Sequence, residues 1–268
     1  MGNTVTLEWP HEGVALVTVN DAAVPNHNIT FATVSALADT LAKSREQGAR
    51  VSVLASGVPG AWLNHAHLGD LGNLFQGKPA SAEPSGWFRA PQELAQTDVV
   101  TIAAISGNTS GGGCELGWAC DLRIAETGVL FSQPEVIIGV GTGIGGTSRL
   151  RRLIGRTAAA EMVLTGLPVS AERIHALGGI NRLVPKGMAV KTALDMAAHL
   201  ASLPPHALAG MKRMLREGED MPLSAALDND QEIAQTLFRD PWSIENMAKL
   251  QARYDAGEKI EDVLVRKP

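Results

Sequence analysis

The run Gly111-Gly112-Gly113 separates an apolar, β-branched segment, Val99 to Ile105, from a stretch of helical character, Cys114 to Cys120. Bare backbone between a buried strand and a helix constrains the fold strongly, because the chain must turn tightly there and other atoms can approach the main chain closely. It also leaves backbone amides exposed at a helix start, where negative charge is favoured.

The same alternation extends to both sides. Val14 to Val19 reads as a buried strand, Asn20 to Asn28 as a loop, and Thr30 to Gln47 as a helix with Phe31, Val34, Leu37, Ala38 and Leu41 on one face. Val51 to Ala55 is a second strand. Gly72 to Pro91, rich in Gly, Pro, Ser and Ala, reads as an irregular lid or loop. Leu122 to Ala125 and Leu130 to Ser132 are short strands. From Arg149 onward the spacing is mostly helical, ending with Leu223 to Phe238 and Trp242 to Ala256. The expectation is an α/β fold with a helical C-terminal portion, divided near Pro204-Pro205 into residues 1–203 and 204–268.

Composition narrows the function classes. Of 268 residues, 45% are hydrophobic and 19% charged, enough for a sizeable core. A formal net charge of −5, with no basic stripe, argues against a nucleic-acid partner. No apolar run reaches the roughly 18 residues of a membrane span, and Met1 to Pro10 lacks the charged-then-apolar design of a signal peptide. Cys114 and Cys120 fall in one helical segment and match no zinc spacing, which points to free thiols in a reducing, cytoplasmic setting and to no metal.

Two blocks carry candidate chemistry. The first, Ser106 to Leu116, places Glu115 beside the bare amides of the glycine run. Preorganised amides shielded from water stabilise a developing oxyanion, each lowering the barrier by about 3–4 kcal/mol. The second, Phe131 to Gly139, places Glu135 between an X-Pro turn and Val136-Ile137-Ile138, neighbours expected to bury it and raise its pKa. Alone, Glu115 reads as a helix-dipole partner and Glu135 as a strand-end carboxylate. Together, two carboxylates in one partly buried site can divide the work, one as base and one holding a proton. Gly141 to Gly146 also matches G-x-G-x-x-G, but it falls mid-chain and no acidic residue closes a following strand, so a dinucleotide site is disfavoured.

Ile102 to Gly107, Gly111 to Leu116, Cys120 to Ala125, Phe131 to Glu135, Gly145 to Leu150 and Ile180 to Pro185 together resemble the signature of the enoyl-CoA hydratase/isomerase (crotonase) superfamily. The match runs from about Val5 to Met214. The resemblance implies a spiral core of ββα units with a C-terminal helical region that packs trimers, often paired into hexamers. It implies acyl-CoA thioesters as substrates, coenzyme A being part of the substrate and no separate cofactor being required. It implies an oxyanion hole formed by the amides of Ala66 and Gly112, catalysis by Glu115 and Glu135, a water-placing amide at Gly143, and substrate contacts at His65, His67, Asn26 and Arg253. For hydration across C2–C3, Glu115 is assigned as base and Glu135 as acid.

The sequence departs from the family pattern in places. Where relatives read Gly-Ala-Asp, this chain has His65-Ala66-His67, which suggests loop decoration, an altered substrate or a different proton donor. Thr142 replaces a proline, and only Arg253 retains the charge of a C-terminal basic pair. Competing functions are an isomerase, decarboxylase or thioester hydrolase on the same fold, a catalytically silent CoA-ester binder, and, distantly, a NAD-dependent dehydrogenase.

Overall fold

A computed structural model describes residues 4–259; residues 1–3 and 260–268, including the first residues of the N-terminal stretch read above, lie outside that description. The chain packs as two units divided between Leu203 and Pro204.

The first unit is α/β. Its larger sheet has six strands in the order β1 (Val5–His11), β2 (Val14–Val19), β3 (Val51–Ser56), β4 (Val100–Ile105), β6 (Leu122–Glu126) and β9 (Arg182–Val184). Only β1 runs antiparallel, as an edge strand, and its outer residues are exposed. The inner strands are parallel and nearly all apolar, as expected for a sheet covered on both faces. One face is covered by α8 (Ala189–Ala201), whose buried residues are Ala189, Ala193, Ala197 and Ala201. A four-residue repeat of methyl groups lets this helix lie close on Val14, Val51, Val53, Ile102 and Ile124. Each buried Val or Ile there contributes about 1.5–3 kcal/mol. The other face meets α1 (Phe31–Glu46), started by the Thr30 hydroxyl accepting from the Thr33 amide at 3.1 Å.

A smaller sheet of β5 (Thr109–Ser110), β7 (Leu130–Ser132) and β8 (Val169–Ser170) carries the chain from β4 into α4 (Gly112–Ala119). Trp118 of α4 stacks on Phe131 of β7 with centroids 5.3 Å apart. Buried Arg123 donates to the Gly117 and Cys120 carbonyls at the end of α4 and to Gly179, fixing the helix from its C-terminus.

The stretch read as an irregular lid is half helical. It contains the end of α2 (Leu68–Phe75) and the first two thirds of α3 (Gly86–Leu94). Gly86 and Pro91 disguise α3 in the sequence; a Cβ on Gly86 would lie 2.6 Å from the Ser35 amide, so the glycine is what lets α3 sit on α1. The second unit consists of α9 (Pro205–Glu217), α10 (Leu223–Phe238) and α11 (Pro241–Asp255), with Asp240 capping α11 through the Trp242 amide at 2.9 Å. Among the described residues no helix is long and apolar enough to cross a membrane. Cys114 and Cys120 are buried and not joined in a disulfide, and burial pushes the Cys114 thiol up to about 12.

Candidate active site

Glu115 lies on the first turns of α4 and is 3% exposed. Its Oε1 accepts from the Ile144 amide at 2.9 Å and the Gly146 amide at 2.6 Å, and its Oε2 from the Gly143 amide at 3.3 Å. The glycine-rich run leading into α5 (Gly146–Ile154) is therefore a nest of amides for a carboxylate of the protein itself. This is the structural use of the G-x-G-x-x-G spacing. The Gly143 amide, expected to place water, is turned towards Glu115.

Glu135 sits in a 3-10 turn, Pro134–Ile138. The expected enclosure by its apolar neighbours is not what the fold provides: Val136, Ile137 and Ile138 are 45%, 66% and 54% exposed. The turn points them outward and swings Glu135 towards Gly111 and His65. A Cβ built on Gly111 would lie 3.3 Å from Glu135 Oε1 and 2.8 Å from His65 Cβ. Glu135 Oε2 is buried without a hydrogen-bond partner among the described residues. Burial lifts the Glu135 carboxyl above its ordinary pKa; a hydrogen bond from its own backbone opposes this, and the charge of Glu115 adds to it.

Gln133, which sequence reasoning missed, completes this corner. It is 1% exposed, and neither of its amide atoms has a partner among the described residues. Its Nε2 lies 2.8 Å, and Glu115 Oε1 2.9 Å, from the Cβ position of Gly146. An unpaired buried polar atom costs about 1–3 kcal/mol, so a carboxamide held this way beside two glutamates marks a place for a polar reactant. The only signal in the sequence is its place directly before Pro134-Glu135.

The two expected oxyanion donors come together. Residues around Ala66 are tied on both sides: the Ile29 amide donates to the His65 carbonyl at 3.0 Å, and the His67 amide to the Ile29 carbonyl at 2.8 Å. The His27 Nδ1–H reaches the Trp62 carbonyl at 2.7 Å, and the Gly113 amide reaches the Asn64 carbonyl at 3.0 Å. Among the described residues neither the Ala66 nor the Gly112 amide has an acceptor. The Ala66 nitrogen lies 3.6 Å from the Cβ position of Gly112, whose open side faces the Trp87 ring at 2.7 Å. Glycine is required next door as well: a Cβ on Gly113 would fall 1.9 Å from the Leu63 carbonyl oxygen.

The remaining candidates divide. His65 stays beside Glu135. His67 is the N-cap of α2, its Nδ1 accepting from the Asp70 amide at 3.3 Å, so that nitrogen serves the helix. Asn26 is exposed, in a left-handed conformation (φ 59°), and its carbonyl accepts from the Asn64 side chain. Arg253 belongs to the C-terminal unit, on α11, where it pairs with Glu258 at 2.6 Å.

A family model described as enoyl-CoA hydratase/isomerase matches residues 10–252. The chain is 32% identical over 174 residues to 2,3-dehydroadipyl-CoA hydratase of Escherichia coli (strain K12), covering 65% of each protein. It is also 32% identical over 160 residues to the short-chain-enoyl-CoA hydratase of Clostridium acetobutylicum, covering 60% of each. The alignments thus span slightly less than two thirds of these curated relatives. Among solved structures, an enoyl-CoA hydratase subunit I from Geobacillus kaustophilus HTA426 superposes with a TM-score of 0.83 at 26% identity, covering 94% of this chain and 96% of that one.

Proposed function

The chain belongs to the enoyl-CoA hydratase/isomerase family, and on that premise we propose that it is a hydro-lyase adding water across the C2–C3 double bond of a 2-enoyl-CoA thioester. The observation that carries this reading is the meeting of two unengaged amides, Ala66 and Gly112, beside two carboxylates with opposite hydrogen-bonding states. Attack at C3 builds enolate charge on the thioester oxygen, which the two amides receive. Glu135, its pKa raised by burial, holds the proton for C2. A carboxylate has about four lone-pair sites; three amides engage Glu115, which leaves one for the attacking water. The chemistry calls for no metal and no redox cofactor, and coenzyme A enters as part of the substrate.

That Cys114 and Cys120 are not joined in a disulfide supports a reducing, cytoplasmic location. Exposed Leu215, Leu223, Phe238 and Trp242 on the C-terminal helices support assembly into a homotrimer, alone or paired as a hexamer; light scattering of the purified protein gives the mass. Arg253 is the candidate for the CoA phosphates. The deciding experiment incubates the protein with a panel of 2-enoyl-CoA thioesters and identifies products by mass spectrometry. A 3-hydroxyacyl-CoA is expected. Shifted double bonds, lost carbon dioxide or free acid would reassign the chemistry, and tight binding of acetoacetyl-CoA with no turnover of any ester would make the chain a silent binder.

A further inference from the structure

His65 occupies a position where the family pattern has glycine, and its Cβ borders the reacting corner. Its Cβ and Glu135 Oε1 flank the same point above Gly111, at 2.8 and 3.3 Å. Its Nδ1 lies 2.9 Å from the Ala66 carbonyl. A carbonyl only accepts, so Nδ1 carries the hydrogen in the neutral ring and Nε2 presents its lone pair. The side chain is half-buried, whereas Glu115 is enclosed and engaged by three amides. The titratable groups around it are Glu135 on the 3-10 turn, Glu115 on α4, and His67 and Asp70 on α2. His67 and Asp70 are bonded to one another and to the ends of α1 and α2, which leaves His65 as the histidine of this loop that borders Gly111 together with Glu135.

Each hydration leaves the two glutamates in the wrong states. The O–H bond of Glu135 breaks as the C2–H bond forms, and a proton of the attacking water moves to Glu115 as the C3–O bond forms. Glu135 is then ionised in a buried position with an unpartnered oxygen. We propose, resting on the hydratase reading, that His65 is the relay that returns the proton to Glu135. The Nε2–H bond of the imidazolium breaks as a bridging water takes that proton and passes one of its own to Glu135, where an O–H bond forms. The imidazole then takes a proton from solvent, and Glu115 releases one to solvent. The sum is one water added per turnover, with no net proton and no electron transferred.

The test measures kcat and KM for a crotonyl-type thioester with the wild type, His65→Ala and His65→Gln, with and without added imidazole. His65→Ala should lose about tenfold or more in kcat, with KM changed less than about twofold. Imidazole should restore much of the loss in His65→Ala but not in His65→Gln, whose side chain fills the space, and should leave the wild type unchanged. Rescue would not be seen if the histidine merely shaped the loop. Wild-type kcat in His65→Ala, a loss that imidazole does not repair, or a loss confined to KM would each overturn the relay. If the wild type hydrates no enoyl thioester, the underlying reading fails and the relay fails with it.

Discussion

Glu115 and Glu135 are the same residue type in one small region, and their surroundings are opposites. Glu115 is met by three backbone N–H groups and has both oxygens engaged. Glu135 is enclosed by a glycine, a histidine and its own turn, and one of its oxygens has no partner among the described residues. The difference arises from the backbone. Gly143 to Gly146 present amides because they lead into a helix, while the 3-10 turn after Pro134 brings only side chains and bare main chain to Glu135. In the proposed hydration, local chain geometry, more than the acids themselves, sets which glutamate would give a proton and which would receive one.

The largest expected effect tests whether both acids are needed. Glu135→Gln and Glu115→Gln should each lower kcat for hydration by about 10²- to 10⁴-fold, with thioester binding retained in Glu135→Gln. Wild-type turnover in either variant removes that residue from the chemistry. Next in size is Gly146→Ala, whose Cβ would come within 2.7 Å of Glu115 Cγ and 2.8 Å of Gln133 Nε2. Displacing Glu115 by a fraction of an ångström should slow hydration by up to about 10²-fold, and an unaffected rate would show that the amide nest does not set the geometry.

A thermal melt sharpens the contrast further, because the same substitution should act with opposite sign at the two sites. Glutamine at 115 turns an NH₂ or a single oxygen towards three donors and should lower Tm. Glutamine at 135 removes a carboxyl whose folded-state pKa is raised by burial. That raised pKa opposes folding once pH climbs above the ordinary value of 4.5, so Glu135→Gln should melt higher at neutral pH. The gain should vanish below that value, where Glu135 is protonated folded or unfolded. Equal shifts of one sign would erase the distinction.

An effect on stability alone lies outside the pair. Asp70 accepts from the Phe31 amide at 2.8 Å, the Ser81 amide at 3.0 Å and the Ser81 hydroxyl at 2.5 Å, tying α1 to the loop before α3. Burial alone would raise its pKa, but these hydrogen bonds outweigh burial and hold it below 3.8. Its stabilisation is therefore present above that value and lost as pH falls through the folded-state pKa. Asp70→Asn should cost about 1–3 kcal/mol at neutral pH, with the deficit shrinking in acid; a deficit independent of pH would deny the carboxylate that role.

What the sequence disclosed follows from how local each signal is. β2, β3, α1 and α10 declare themselves because apolar period and caps lie within the segment. β1 was not read as a strand because it is an edge with polar outer residues, and β5 and β8 are two-residue strands that only tertiary pairing creates. α3 was obscured by Gly86 and Pro91. At the site, Glu115, Glu135, Gly112 and Ala66 stood out through order and resemblance, and the structure brings them together. The surroundings did not: the exposure of Val136 to Ile138, the turning of Gly143 towards Glu115, the capping by His67 and the unpaired Gln133 depend on which way a turn faces, and residue types do not encode that singly.

The pairing of Ile29 with His65 and His67 has a practical consequence. The Ala66 N–H is available because its two neighbours are fastened to a residue far upstream, in a stretch that carries none of the acids. A fusion, tag or trimmed start that disturbs Ile29 would displace one of the two proposed oxyanion donors while Glu115 and Glu135 remain in place.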